Sequence, residues 1–305
     1  MAKNKKSPLL GALSTGWNTL FIAVFVVMAI VTLLPVALVF IISFSSTESL
    51  ETLGYSYFPL GWSAVGYEYI WLSKDTLFRA YWVTIFTSVT GTLLVIALVS
   101  SYSYVTNLKS FPYRRFFVWF SFLTGLIGGG LVPEYILMTR YYHLDNTLAI
   151  LIVPGCLASG SVIILRTFIR TTVPGALIDS AKIDGAGHFR IYSTIVMPLL
   201  KPGLAYIALT TFIGRWSTWF QAALYNFKSD DKLPIMTVLT RIQNNVNFLK
   251  GSMQMSPDTA EQLKNLPTEN MQMACTVIVM LPILCAYPFF QRYFIQGLTM
   301  GSIKE

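Results

Sequence analysis

The residues with the most informative types and spacing lie in one polar insert, DSAKIDGAGHFRIYSTIVMPL, at positions 179–199. It contains two aspartates, a lysine, a histidine and an arginine, and a glycine directly follows the second aspartate. Long apolar runs flank it on both sides. Such groups offer hydrogen bonds and ion pairs, so the chemistry of this insert is noncovalent contact with a partner protein or with lipid.

The rest of the chain offers no pattern for covalent chemistry. The sequence contains no GxxxxGK[ST] phosphate loop and no nucleophile or metal constellation. We therefore expect that the chain is not an enzyme and binds no cofactor or metal ion. Cys156, Cys275 and Cys285 all fall inside apolar runs, which predicts small buried hydrophobes rather than disulfides or a zinc site.

The composition indicates that lipid is the solvent of most of the chain. Of 305 residues, 54% are hydrophobic and only 12% are charged, and the mean hydropathy is +0.59. A soluble domain has about a quarter of its residues charged. We expect one transmembrane domain over residues 1–305. The first apolar run is too long for a signal peptide and lacks a cleavage pattern.

Six apolar runs approach the length of about 20 residues that a helix needs to cross the hydrocarbon core. Their approximate bounds are 17–44, 82–105, 116–138, 147–169, 203–224 and 273–290. They predict an all-α membrane protein with six transmembrane helices. The polar insert lies between the fourth and fifth spans.

The charges predict the orientation of these spans. Six spans place both termini on one side, and basic segments face the cytoplasm. With a cytoplasmic N-terminus, the inside segments carry thirteen basic and three acidic residues, and the outside segments carry eight basic and eleven acidic ones. This predicts cytoplasmic termini and a cytoplasmic insert. The net charge of +8 then faces anionic lipid, so it does not indicate nucleic acid.

The first half of the insert is predicted to form a short helix that ends at Asp184-Gly185. Pro174 suits its first turn, where a missing N–H costs nothing. Asp179 and Lys182 are three residues apart and can pair weakly. Glycine permits the left-handed backbone that ends a helix. A short apolar stripe comprises Val173, Ala176, Leu177 and Ala181.

A second short helix follows, and Pro198 and Pro202 end it before the fifth span. Its apolar face comprises Phe189, Tyr192, and Ile195 or Val196. The small residues Ala181, Gly185 and Ala186 leave a shallow surface that suits the groove of a partner. The periodicity is equally compatible with an amphipathic connector that rests on lipid.

The insert resembles the cytoplasmic EAA signature of permease subunits in ATP-binding-cassette (ABC) importers. The signature reads E-A-A, two residues, D-G-A, and then a distal I-x-x-P or similar. The matching residues here are Asp179, Ser180, Ala181, Asp184, Gly185, Ala186, Ile195, Val196, Met197 and Pro198. The leading glutamate is replaced by Asp179 and the first alanine by Ser180, which shortens or weakens an ionic contact.

The resemblance implies the type I ABC importer permease fold and a set of partners. Residues 170–202 would be the coupling-helix loop, which docks in a cleft of a separate ATPase subunit. The residues implied in this coupling are Asp179, Ser180, Ala181, Asp184, Gly185, Ala186 and Pro198. ATP and Mg would be bound by the ATPase dimer. The other implied partners are a second homologous permease and an extracytoplasmic solute-binding protein or lipoprotein, in the cell membrane of a prokaryote.

Further stretches resemble the carbohydrate-uptake branch of this family. RTFIRTTVPGALIDSAKIDGAGHF is similar to permeases of the maltose-transporter type, and RWSTWFQAALYNFKSDDKLPI resembles their W-N-x-F pattern. Ser217 stands where asparagine is common, and Trp219 where phenylalanine is common. LDNTLAILIVPG and QRYFIQGLTMGSIKE resemble a subgroup that imports oligosaccharides. The implied solute is therefore a carbohydrate, specifically an oligosaccharide.

The fifth span contains a candidate solute pathway formed by Trp216, Trp219, Gln221 and Asn226. Sugars need aromatic faces for their C–H groups and paired donors and acceptors for their hydroxyls. In an unbroken helix, Thr218, Gln221 and Tyr225 share one face, and Trp219 and Asn226 share the neighbouring one. The alternative is that the aromatic residues anchor the span at the outer interface.

Charges and glycines within the spans are expected to have structural roles. Arg215 and Glu134 lie within or beside spans, and they can pair with one another or with the second permease. Gly128, Gly129 and Gly130 permit close helix contact or a local break, and we expect packing.

Two outer segments and the C-terminal tail are candidate contact surfaces. Residues 225–272 form a long extracytoplasmic loop that is too large for a bare connector. The resemblance implies that it contacts the solute-binding protein, and the alternative is a solvated cap over the permease itself. Residues 45–81 are a second candidate, and the tail GSIKE is expected to touch the ATPase subunits.

Other functions remain open at this level. A permease of the same superfamily for an amino acid or an anion is the first alternative. An ion-coupled secondary transporter or channel usually has inverted repeats and buried acid relays, and the sequence shows neither. A membrane scaffold without transport activity is a third possibility. ATP-dependent uptake separates the ABC importer from the last two.

Overall fold

The computed structural model describes residues 15–253 and 268–301 of the chain. Those residues form helices and loops, with a single isolated antiparallel bridge between Ser45 and Trp62 and no strand. The chain divides into two compact units, residues 1–71 with 252–277 and residues 72–251 with 278–305. The expectation of one domain over residues 1–305 stays a prediction.

The first unit begins with α1 (Thr15–Ser43), which has mean hydropathy 3.0 over its most apolar window and exposes nearly all of its side chains. A helix that is apolar on every face is suited to lipid. The short helices α2 (Thr47–Leu53) and α3 (Val65–Trp71) follow.

Hydrogen bonds hold the segment after α1 in place. The hydroxyls of Tyr67 and Ser43 lie 2.9 Å apart, and the Asn270 side-chain amide donates to the Ser45 carbonyl. Burial raises the pKa of Tyr67. The first residues of the last helix, α14 (Thr268–Gly301), belong to this unit.

The second unit contains the remaining helices. Its long central helix is α4 (Lys74–Asn107). The following helices are α5 (Arg114–Leu126), α6 (Leu131–Tyr141), α7 (Ala149–Ile152), α8 (Ser159–Thr172), α9 (Gly175–Ile183), α10 (His188–Leu199), α11 (Lys201–Trp216), α12 (Phe220–Tyr225) and α13 (Ile235–Met253). The end of α6, Leu137–Tyr141, and the middle of α10, Ile191–Val196, have π-helical geometry.

Small residues let α4 pack closely against its neighbours. Its buried face includes Thr84, Ser88, Gly91, Ser100 and Ser103. Two of these hydroxyls, those of Thr84 and Ser100, donate to the carbonyl four residues earlier, which satisfies them without water. Close approach of backbones supplies the packing energy of membrane helices, where lipid removes most of the hydrophobic drive.

The structure has up to six spans, of which three are single helices and three are bent helix pairs, and two of these pairs include the insert helices α9 and α10. Residues 16–43, 74–107 and 269–288 form single helices that are long and apolar enough to cross a membrane. Three helix pairs qualify only when each is taken as one bent span: α5 with α6 at 113°, α8 with α9 at 75°, and α10 with α11 at 77°. The total then reaches six, which agrees with the predicted all-α transmembrane fold.

The glycines in the third span form a break, so the expectation of helix packing there is wrong. Gly130 has φ +84, a left-handed conformation that disfavours side chains, and it separates α5 from α6. A side chain at Gly128 or Gly129 would meet nothing within 4 Å. Gly128 and Gly129 therefore make no close contact in this chain, and only Gly130 has a backbone conformation that favours glycine.

The fourth and fifth spans are also interrupted within the predicted limits. Helix α7 ends at Ile152, and Gly155 with φ +72 separates it from α8. In the fifth span, Ser217–Trp219 lie outside any helix, between α11 and α12. Cys156 and Cys275 are buried as predicted, but Cys285 is exposed, which corrects its prediction. The described residues contain no cluster of three metal-ligating side chains.

Candidate coupling insert and solute pathway

The turn after α9 has the hydrogen bonds of a Schellman motif. The Ala186 N–H donates to the Ala181 carbonyl at 2.9 Å, and the Gly185 N–H donates to the Lys182 carbonyl at 3.0 Å. Gly185 has φ +77, so the left-handed turn predicted at Asp184-Gly185 is confirmed. No atom lies within 4 Å of a Cβ built on Gly185, so its constraint is backbone conformation alone.

The insert turns away from both spans that it joins. Helix α9 is bent by 75° from α8, and α10 meets α11 at 77°. The proline at the end of α10, Pro198, is exposed and lies beside this second bend. The two short helices predicted for the insert are therefore present, and each is steeply bent from the helix that it adjoins.

One side of α9 packs against the chain's own core. Ala181 is only 8% exposed, and it belongs to a cluster with Ile191, Val196 and Leu200. Ala186 packs against the same cluster. This corrects the expectation that Ala181 contributes to a shallow surface open to a partner, because its methyl group is already covered.

The predicted apolar stripe on α9 is divided between the two sides. Val173 is buried in the core cluster, whereas Ala176 and Leu177 are exposed. On α10, Val196 is buried and Tyr192 is half-buried, but Phe189 points away from them. In the described part of the chain no ion pair joins Asp179 to Lys182.

The insert also carries exposed polar groups and two exposed large apolar side chains. Asp179, Ser180, Asp184 and Gly185 are exposed. Ile183 is 86% exposed and Phe189 is 81% exposed. Large apolar side chains left bare beside polar ones are typical of a protein–protein contact. Ile183 was not identified as a contact residue from the sequence. Its only indication was that Ile183 lies outside the apolar stripe of α9.

Hydrogen bonds attach the insert to α4. The Tyr192 hydroxyl lies 2.6 Å from that of Ser100, and the Tyr104 hydroxyl lies 3.3 Å from Nδ1 of His188. The Tyr104 and Tyr192 rings are 5.4 Å apart. None of these contacts was predicted from sequence, since they join residues about 90 positions apart. They attach the insert directly to the central helix.

Two of the four predicted solute-pathway residues are covered by their own chain. Trp216 is 2% exposed, and its indole N–H donates to the Val279 carbonyl at 3.1 Å. Asn226 is fully buried, and its side-chain amide donates to the carbonyls of Thr147 and Lys232, each at 3.3 Å. These placements do not fit solute contact, so both residues hold the fold together in this conformation.

The break between α11 and α12 places the other two pathway residues at the surface. Trp219 lies in the break and is 43% exposed, and Gln221 in the first turn of α12 is exposed. The Trp219 carbonyl accepts from Thr237 Oγ1 at 3.2 Å, which ties the break to α13.

The predicted helical faces of the fifth span are wrong, because the helix does not run through Thr218. Its hydroxyl donates to the Gly214 carbonyl at 3.0 Å, a local bond that competes with helix continuation. Tyr225 is buried and stacks on Tyr135 at 5.6 Å. Of the four predicted pathway residues, Trp219 offers an exposed aromatic face and Gln221 offers an exposed amide.

Arg215 has the structural role that was expected. Its guanidinium donates to the Leu151 carbonyl, and Nη2 lies 3.5 Å from the Pro154 carbonyl oxygen. These carbonyls lie at the end of α7 and in the following turn, where helical carbonyls lack partners. Glu134 is exposed, and no ion pair joins it to Arg215 within the described residues.

The predicted outer loop is folded where it is described. It contains α13, whose Ile235, Val238 and Leu239 are buried, and an ion pair of 2.7 Å between Arg241 and Asp230. Residues 254–267 lie outside the described residues, as does most of the tail GSIKE. Contact of this loop with a solute-binding protein stays a prediction.

The bent spans and the transverse insert define a membrane permease subunit. Residues 115–300 match the family described as binding-protein-dependent transport system inner membrane component. The match covers more than half of the chain, and the chain belongs to this family.

Several known proteins are similar over most of their length. The chain is 30% identical to the polygalacturonan/rhamnogalacturonan transport system permease protein YtcP of Bacillus subtilis strain 168, over 90% of this chain and 94% of that protein. It is 28% identical to the arabinooligosaccharides transport system permease protein AraQ of Halalkalibacterium halodurans, over 99% of both chains.

The fold also matches a solved structure. A chain from the crystal structure of a bacterial ABC transporter involved in the import of the acidic polysaccharide alginate superposes with a TM-score of 0.74. The superposition covers 94% of this chain and 100% of that one, at 22% sequence identity. At this identity the likeness shows the shared fold.

Proposed function

We propose that this chain is one of two permease subunits of an ABC importer that carries an oligosaccharide into a prokaryotic cell. The observation that carries the proposal is the transverse insert. Its Ile183 and Phe189 side chains are exposed, and its Tyr192 hydroxyl is hydrogen-bonded to α4. This arrangement converts a contact outside the membrane into displacement of a spanning helix.

The insert docks on an ATPase subunit through its exposed side. The insert exposes Ile183 and Phe189 together with the polar residues Asp179, Ser180, Asp184 and Gly185, and that combination suits a groove with an apolar floor and a polar rim. Ala181 and Ala186 pack against the core of the chain and set the position of the turn. Pro198 sets the position of the second bend. The ATPase dimer binds ATP and Mg, and this chain binds neither.

The proposed orientation places the insert and both termini in the cytoplasm of the cell. The excess of basic residues on that side supports it. The segments at 45–81 and 225–272 then face outward, where a solute-binding protein or lipoprotein delivers the solute.

A carbohydrate is the proposed solute, and Trp219 and Gln221 are the proposed contacts. Relatives named for transport of polygalacturonan/rhamnogalacturonan and of arabinooligosaccharides support this class. The exposed indole and amide at the break offer the two kinds of surface that a sugar needs. A permease for an amino acid or another non-sugar solute is the competing assignment.

Coupling is tested with the complete transporter, which contains this chain, its partner permease, the ATPase and the binding protein. Ile183→Ser and Phe189→Ser should each reduce copurification of the ATPase and ATP-dependent uptake. Phe58→Ser is the matched control for copurification of the ATPase, because Phe58 is also 86% exposed but lies on the proposed outer side. Retained ATPase in both insert variants would reject the coupling assignment.

The solute class is tested separately in proteoliposomes that contain the same complex. Uptake of labelled oligogalacturonides or arabinooligosaccharides, absent when ATP is withheld, supports the carbohydrate assignment. Uptake of an amino acid mixture without any sugar uptake would favour the competing permease. Uptake that follows an ion gradient without ATP would reject the ABC importer altogether.

A further inference from the structure

A cleft between α5 and α8 joins a basic end to an apolar wall. Arg114 and Arg115 begin α5, and Arg166 and Arg170 lie in the last two turns of α8, so the four arginines share one end of the helix pair. The cleft has two adjoining parts of about 210 and 320 Å³. All four arginines line the smaller part, and neither part has a carboxylate in its lining.

The positive charge of this cleft favours binding of an anion. Four guanidinium groups around one small volume repel one another, and the repulsion grows where the surrounding medium has a low dielectric constant. Exposure of Arg115 to solvent relieves part of it, but Arg114 is half-buried and Arg166 is buried. A phosphate oxygen at the centre would offset these charges and accept their hydrogen bonds.

Arg166 supplies the second, independent indication of a ligand. Its side chain is only 8% exposed, and Nη2 donates to the Thr106 carbonyl at 3.2 Å. Its Nε is buried and has no hydrogen-bond partner among the described residues. A buried N–H on a charged group is costly to leave unpaired. Arg166 lines both parts of the cleft, so an anion bound there lies against this incompletely hydrogen-bonded guanidinium.

The apolar wall identifies the kind of anion. The larger part is lined by Trp119, Phe122 and Ile163, whose side chains are all exposed on the surface of the helix pair. Tryptophan is enriched at the headgroup level of membranes. A soluble phosphate has no apolar group that could contact this wall, whereas the acyl chains of a lipid can cover it.

We infer that this cleft binds the phosphate headgroup of an anionic phospholipid, with its acyl chains lying along α5 and α8. Arg114, Arg115, Arg166 and Arg170 hold the phosphate, and Trp119 marks the boundary between headgroup and chains. Basic pockets between spanning helices are suited to such headgroups. The bound lipid would steady the end of α8 from which the insert departs.

Binding is measured on the purified, delipidated transporter complex by native mass spectrometry with added phosphatidylglycerol or phosphatidylcholine. Each arginine near a membrane surface contributes about five-fold in affinity for anionic lipid. Arg114→Gln with Arg115→Gln should therefore lower phosphatidylglycerol binding by about 25-fold. Phosphatidylcholine binding should stay at the level of the unmodified complex.

Arg190→Gln is the matched control, because Arg190 is an exposed arginine of the insert outside the cleft lining. An equal loss in Arg190→Gln would indicate general attraction to a basic face and would overturn the proposal. Unchanged phosphatidylglycerol binding in the double variant would overturn it too. Displacement of the lipid by inorganic phosphate would assign the cleft to a soluble anion instead.

A folding defect in the double variant is separated by the single variant Arg115→Gln, whose side chain is exposed and whose removal leaves Arg166 bonded to Thr106. It should lose about five-fold in phosphatidylglycerol binding with an unchanged melting temperature. No loss in this variant would also contradict the proposal.

Discussion

The hydroxyl of Tyr192, in the second helix of the insert, lies 2.6 Å from the hydroxyl of Ser100 in the middle of α4. Ser100 also donates to the Ile96 carbonyl within its own helix, so the pair links the insert to the backbone of the central span. Tyr104 lies one turn further along α4 and contacts both Tyr192 and His188. Hydrogen bonds and a ring contact therefore join the insert to α4.

Tyr192→Phe should uncouple ATP hydrolysis from uptake while leaving the complex assembled. The substitution removes the short hydrogen bond to Ser100, which contributes about 1 kcal/mol, and a longer one of 3.4 Å to the Ser101 hydroxyl, and it keeps the ring contact with Tyr104. Ser100→Ala should have the same effect, and the double variant should add little to either change. The ratio of uptake to ATP hydrolysis measures this, and additive losses would show that the two hydroxyls act independently.

Gly185→Ala should weaken ATPase binding, and Gly185→Arg should weaken it further. A side chain at this left-handed position strains the turn by about 1–2 kcal/mol, and arginine also obstructs a partner's approach. Copurification of the ATPase is the measurement, with membrane insertion as a check.

Gly187→Ala is the control for Gly185, because Gly187 has φ −68 and open space around it. It should retain the ATPase. If Gly185→Arg inserts normally and also retains full ATPase binding and uptake, the insert is only a connector.

Gly91→Ala should destabilise the second unit through Arg215. A Cβ on Gly91 would lie 2.6 Å from Arg215 Nε, so the guanidinium must leave the Leu151 and Pro154 carbonyls. Overpacking of this kind costs about 1–3 kcal/mol. Gly214→Ala, where the added methyl meets nothing within 4 Å, should leave the melting temperature unchanged. Equal melting temperatures for both variants would argue against a bracing role for Arg215.

Trp219→Ala and Trp216→Ala should have different effects. Loss of the exposed Trp219 ring should raise the KM for sugar uptake about five-fold, which corresponds to about 1 kcal/mol of lost stacking. Trp216→Ala should instead lower stability by on the order of 3 kcal/mol, because it leaves a cavity. An exposed aromatic outside both outward-facing segments, Phe120 of α5, provides a control as Phe120→Ala. An unchanged KM in Trp219→Ala would remove Trp219 from the pathway.

The sequence by itself determined the features that depend on composition or on local chemistry. The lengths of the apolar runs predicted six spans without reference to their neighbours. The turn at Asp184-Gly185 follows from glycine's freedom at positive φ, which no distant contact is needed to explain. The interrupted apolar pattern likewise placed the insert between the fourth and fifth spans.

Only the tertiary structure decided which side of each helix is covered. Trp216 and Trp219 are three residues apart and equally apolar, yet the first is buried against Val279 and the second is exposed at a break. Ala181 faces the core while its neighbour Ile183 stands bare. In a span, lipid-facing and core-facing side chains are both apolar, so hydropathy carries little contrast between them. Close backbone contacts and hydrogen bonds to distant carbonyls, such as those of Arg215, make that choice.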